Sequence, residues 1–136
     1  MFELKVYAPF TFWDDIEKDC NGCGSELNGT NKIVPDTIWG LSILLCCCIH
    51  DHMYVHGQTL GDKLFADAVF LMNMTVIIIH ESSVLMKILR LHRAAKYYTA
   101  VAAAGDESFF DGKKKNQIMA ITYRGSFTKI QKKESK

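Results

Sequence analysis

No cysteine lies beyond Cys48, no segment repeats, and no linker long enough to separate a second domain interrupts the 136 residues. The first absence leaves the later apolar segments without a covalent staple of their own. The other two leave a single domain, and 49% apolar residues are enough to give it a core. Strong net charge is missing too, the formal balance being +1. That figure conceals a polarity: residues 111–136 hold eight Lys/Arg against Asp111 and Glu134, a balance of +6, which leaves −5 on residues 1–110. Lys113-Lys114-Lys115 and the final Lys132 to Lys136 lack the periodicity of a docking helix and read as a solvated tail. Few aromatics are interleaved with these basic residues, so nucleic-acid binding is not expected. The opening Met1-Phe2-Glu3-Leu4-Lys5 lacks the basic and apolar regions of a secretory leader, and the expectation is a cytoplasmic or virion-associated chain. Of two apolar runs, 38–49 is too short to cross about 30 Å of hydrocarbon, and 64–79 contains Asp67 and Asn73. Both are expected as buried helices.

What is present divides into a polar first third and a helical remainder. An N-terminal arm carries a short strand around 4–7 and the aromatic run Phe10-Thr11-Phe12-Trp13. Residues 20–34 hold Gly22, Gly24, Gly29, Asn21, Asn28 and Asn31, a composition of turns. Cys20 and Cys23 have C-x-x-C spacing, open to a zinc site that recruits Cys47, to a disulfide between Cys23 and Cys47, or to plain buried thiols. Pro35-Asp36 suits a helix start and Gly57 its stop, which predicts a first helix over about 35–56. Thr59-x-x-Asp62 resembles a capping box opening a second helix over about 60–75, with the β-branched run 76–79 left open. Ser82 or Ser83 caps a third, with Leu85, Ile88, Leu89, His92, Ala95 and Tyr98 as its stripe and Gly105 as its end. Alternation over 117–123 and a turn at Gly125 predict a C-terminal β-hairpin. The expected fold is thus mainly α: two antiparallel core helices, a third packed across them, and a small hairpin.

Chemistry concentrates in the first two helices. Cys47, His50 and Tyr54 stand at i, i+3 and i+7 on one helical face, while Asp51 turns about 100° aside. Asp67 on the next helix can reach the far ring nitrogen of His50 and fix its tautomer, an arrangement suited to activating water. The obvious alternative for Asp67 is a surface pair with Lys63 at i−4, worth only about 0.2–0.5 kcal/mol. Asp62 is expected to cap its helix.

The loop Asn21-Gly22-Cys23-Gly24-Ser25, Cys47, His50-Asp51, Tyr54, and Asp67-x-x-Phe70 followed by Met74 together resemble the secreted phospholipase A2 superfamily, in its short prokaryotic, fungal and phage-like forms. The resemblance covers roughly residues 21–74 and implies calcium-dependent cleavage of the sn-2 ester of a phospholipid. It implies that His50 takes a proton from water, that Asp67 steadies the imidazolium and that Tyr54 braces Asp67. It further implies that Asp51 binds Ca²⁺ with backbone carbonyls of Asn21, Gly22 and Gly24, and that a phospholipid or membrane surface is the partner. Two rival readings stand beside it. One is an inactive phospholipase-like scaffold. The other is a metal-dependent phosphohydrolase using His52 and His56 at i, i+4 with Asp51 or Asp62, helped by His80 or His92. Without a metal, His52 and His56 belong on a solvent-facing helix surface.

Overall fold

A computed structural model of the chain describes residues 5–9, 20, 23, 35–123 and 125–129. The described residues are mainly helical, with helices α1 (Leu44–His56), α2 (Leu60–Glu81), α3 (Val84–Ala104) and α4 (Asp106–Phe109). Strands β1 (Lys5–Pro9) and β4 (Gly125–Lys129) form one antiparallel sheet, and β2 (Thr37–Ile38) with β3 (Leu41–Ser42) forms another.

The first helix starts later than Pro35-Asp36 suggests. Thr37-Ile38 and Leu41-Ser42 pair instead as a miniature hairpin whose two loop residues, Trp39 (φ 46°) and Gly40 (φ 78°), both lie in the left-handed region. Positive φ at both positions matches the twist of tight hairpins, and glycine takes it freely where tryptophan is strained. Gly57 ends α1, donating its N–H to Met53 O at 2.9 Å. Just beyond it, the expected capping box is present: Thr59 accepts from Asp62 N, and Asp62 in turn accepts from Thr59 N. So short a connection makes α1 and α2 antiparallel neighbours.

Helix α2 runs straight through the β-branched residues to Glu81, because Ile77 and Ile78 are buried and packing overrides propensity. By length and composition it is the one described helix long and apolar enough to cross a membrane. Within this fold its core face buries Asp62, Lys63, Asp67 and Asn73 in contacts to the rest of the chain. Ser83 caps α3 by accepting from Met86 N, and Gly105 closes it through an N–H to Val101 O at 2.8 Å.

Three further expectations fail. The stripe Leu85, Ile88, Leu89, His92 and Ala95 faces solvent, while Ala94, Tyr97 and Val101 face the core. Arg90 accompanies that inner face, donating to Ile38 O at 3.3 Å and Trp39 O at 2.9 Å, so α3 docks through small and amphipathic side chains. The C-terminal hairpin does not form. Residues 117–123 are not a strand, because the segment's carbonyls serve the opening turn of α2: Asn116 O accepts from Leu60 N at 3.0 Å and Ile118 O from Gly61 N at 3.1 Å. Helix openings leave such N–H groups unpaired, and this strap satisfies them. The strand after Gly125 pairs with β1 instead, Lys5 opposite Lys129. Finally, His52 is buried, whereas His56 is exposed as expected.

Sheet and helices are joined by Asn73, whose side-chain amide accepts from Tyr7 N at 2.9 Å and donates to Tyr7 O at 3.0 Å. A side chain on α2 thereby completes the hydrogen bonding of β1. The cysteines form disulfides Cys20–Cys48 and Cys23–Cys47, leaving Cys46 as a buried thiol that burial pushes up to about 12. Such a thiol is unreactive, and neither Cys20 nor Cys23 is left for zinc. Pairs of this kind form under oxidising conditions. Asn21, Gly22, Gly24, the aromatic run Phe10 to Trp13 and the last seven residues lie outside the described residues.

Candidate active site

His50 and Tyr54 stand one turn apart on α1 and face Asp67, two turns into α2. The carboxylate is 1% exposed and both its oxygens are engaged. Oδ1 meets His50 Nε2 at 2.8 Å and accepts from the Tyr54 hydroxyl at 2.5 Å, while Oδ2 accepts from Lys63 Nζ at 2.9 Å. Burial alone raises the carboxyl's pKa, but hydrogen bonds from His50, Tyr54 and Lys63 outweigh it and hold Asp67 below the usual carboxylate range. An ionised carboxylate only accepts, so Nε2 carries a proton, and in the neutral ring the lone pair is then on Nδ1. No described residue hydrogen-bonds Nδ1. The ring is clamped between Tyr54 and Phe70, centroids 4.1 and 4.9 Å away, and 8% of the side chain remains exposed.

Tyr54 is a neutral donor, since burial and the charge of Asp67 push its hydroxyl well above the ordinary phenol value. Its phenol occupies space that only glycine leaves, for a Cβ on Gly105 would collide with the Tyr54 oxygen. Phe109 on α4 packs edge-on against the same ring at 5.2 Å. Lys113 donates to Tyr54 O and lies over the Phe109 ring.

The residue that sequence reasoning undervalued is Lys63. Its pair with Asp67 exists, but with both side chains 1% exposed it is a core contact and no surface pair. Lys63 Nζ also donates to Ala102 O at 3.0 Å and faces Asp106 Oδ1 at 3.4 Å. One ammonium therefore ties α2 to the end of α3 and the start of α4. A lysine placed four residues before a carboxylate inside an apolar stretch was the available signal.

Asp62, as expected, caps its helix, and it also holds the strap, accepting from Thr122 N at 2.7 Å and Thr122 Oγ1 at 2.8 Å. Burial raises its carboxyl, and the donors Thr122, Gln58 and Thr59 more than reverse that. A carboxyl held below its unfolded value adds stability above that value, near 4 for aspartate, and loses it as pH falls through the depressed folded value. The melting temperature should accordingly drop as pH falls below about 4. Asp67→Asn should show a shallower drop over the same window. Equal slopes in thermal melts of the two proteins would remove Asp67 from the account.

Asp51 adjoins His50 on α1 and is half-buried. Cys23, between Gly22 and Gly24 in the chain, is bonded to Cys47 one turn before His50, and its N–H donates to Asp36 Oδ1 at 3.0 Å. Of the rival histidine cluster, the rings of His52 and His56 lie 4.4 Å apart at a tilt of 49°, His80 and His92 are exposed, and among the described residues no three His, Cys, Asp or Glu side chains converge. Compared with known proteins, the chain matches no family model, no curated protein and no solved structure.

Proposed function

We propose that this protein is a calcium-dependent hydrolase of phospholipid sn-2 esters, of the phospholipase A2 kind. The observation that carries the reading is Asp67 Oδ1, which receives His50 Nε2 at 2.8 Å and the Tyr54 hydroxyl at 2.5 Å. The carboxylate fixes the tautomer in which Nδ1 is the base, and the second donor holds the carboxylate still. His50 takes a proton from water at Nδ1 as the water oxygen bonds to the ester carbonyl carbon; buried Asp67 stabilises the imidazolium, and the proton passes to the alkoxide oxygen as its bond to that carbon breaks.

Calcium would suit an oxygen donor set built on Asp51, the carboxylate next to His50 in the chain. Asp51 would be its side-chain ligand, and the backbone carbonyls of Asn21, Gly22 and Gly24, which lie outside the described residues, would complete the set; Cys23, their neighbour in the chain, is bonded to Cys47 on α1. When bound, the ion supplies Lewis acidity for the ester carbonyl and the oxyanion.

The test is release of a fluorogenic sn-2 chain from phospholipid vesicles, with calcium and with a chelator. Wild-type protein should release it only with calcium, and His50→Gln should fall by roughly 10²–10⁴-fold with its fold retained. Release indifferent to chelator or substitution sinks the proposal. A second reading, an inactive scaffold, is favoured by Lys63, since a buried lysine gives Asp67 a structural reason to be there. Absence of both turnover and calorimetric calcium binding would select it.

A further inference from the structure

The outer face of α3 is apolar where a soluble helix is ordinarily polar. Val84, Leu85 and Ile88 are 78%, 67% and 64% exposed, and Leu89 adds to the same ridge at i+1 and i+4 spacing. The opposite face holds the core contacts Ala94, Tyr97 and Val101, so the helix has two apolar faces and the fold uses one. Exposed contiguous apolar side chains of this kind mark an interaction surface.

Charge identifies the occupant. Between Glu81 and Asp106 the chain has no acidic residue, yet it contains Lys87, Arg90, Arg93 and Lys96. Arg90 is spent internally on Ile38 O and Trp39 O. Arg93 and Lys96 are exposed one and two turns beyond the ridge, and Arg93 lies 5.6 Å over the ring of Trp39, itself half exposed. Two copies meeting through this face would set like charges together. A convex ridge of leucine, isoleucine and valine bordered by cations and a tryptophan has the composition of a helix lying in a membrane interface. Its apolar side chains enter the acyl boundary, and its cations meet phosphate.

We propose that the N-terminal half of α3, with Trp39, Arg93 and Lys96, docks this protein on anionic phospholipid bilayers. This inference names the surface that meets the lipid, and rests on the proposed hydrolase function only for the choice of phospholipid as the anion.

The experiment is vesicle co-sedimentation in the presence of a calcium chelator, which separates binding from turnover. Vesicles of phosphatidylcholine alone are compared with vesicles containing equal parts of phosphatidylglycerol. Wild-type protein should partition onto the anionic vesicles and far less onto the neutral ones. Leu85→Glu with Ile88→Glu should lower that partitioning at least roughly tenfold. Arg93→Glu with Lys96→Glu should erase the preference for anionic lipid. All these residues are exposed, and circular dichroism melts verify that both variants fold. Failure of the wild type to bind, binding unchanged in the variants, or equal binding to both vesicles overturns the proposal. So does a concentration-dependent dimer, seen by light scattering, that Leu85→Glu with Ile88→Glu dissolves. Binding without hydrolysis would defeat the hydrolase reading and leave this one standing.

Discussion

Asp67→Ala should destabilise the protein by about 3–5 kcal/mol, the range for removing one partner of a buried ion pair. The loss comes chiefly from what remains. Lys63 Nζ, 1% exposed, keeps only Ala102 O and the half-exposed Asp106 as partners, and the Tyr54 hydroxyl and His50 Nε2 lose their acceptor. A domain of ordinary stability has about 5–15 kcal/mol in total, so this variant should sit near the edge of folding. Replacing both charges, Lys63→Met with Asp67→Leu, should recover the part of the loss due to the unpaired ammonium, because apolar side chains of similar volume remove the uncompensated charge, while His50 Nε2 and the Tyr54 hydroxyl still lack their acceptor. Urea denaturation of the three proteins measures both effects. A cost below about 1 kcal/mol for Asp67→Ala would mean that Lys63 reaches solvent.

Gly61→Ala should be the other large effect, and its sign opposes helix propensity. Alanine in a helix is ordinarily favoured over glycine by about 0.8–1.0 kcal/mol. Here an added Cβ would collide with Met119 O and stand 2.6 Å from Ala120 O, backbone atoms that cannot swing aside. The strap must lift, weakening the bonds of Leu60 N, Gly61 N and Thr122 N. At about 0.5–1.5 kcal/mol each, the loss of these three outweighs the propensity gain. A lower urea midpoint and faster hydrogen exchange at Leu60 and Thr122 are expected; a midpoint at or above wild type would show that the strap shifts at no cost.

The pairing of His50 with Asp67 was legible because it depends on spacing along two helices, the Tyr54 contact to Asp67 only through the family resemblance, and the Thr59-Asp62 capping box because it is local. What escaped depends on partners distant in sequence. Pro35-Asp36 looks like a helix start, but Trp39-Gly40 closes a hairpin whose need for two positive φ values is written plainly only in the glycine. The alternation over 117–123 reflects a strap whose carbonyls were claimed by α2, which periodicity does not reveal. In α3 the more hydrophobic stripe is the outer one, so a rule that sends the greasier face inward picks the wrong side. Lys63 was legible as a neighbour of Asp67 but not as buried, since that depends on Ala102 and Asp106 folding back over it.

The pairing of β1 with β4 sets an order on synthesis. The three long helices lie between these strands and contact one another through stretches complete well before the chain ends, whereas Lys5 finds Lys129 only when the last strand has left the ribosome. Until then β1 waits with Asn73 as its hydrogen-bond partner. A ribosome stalled before residue 125 therefore holds a helical body with an unpaired edge strand, the segment of a nascent chain most open to capture by another strand.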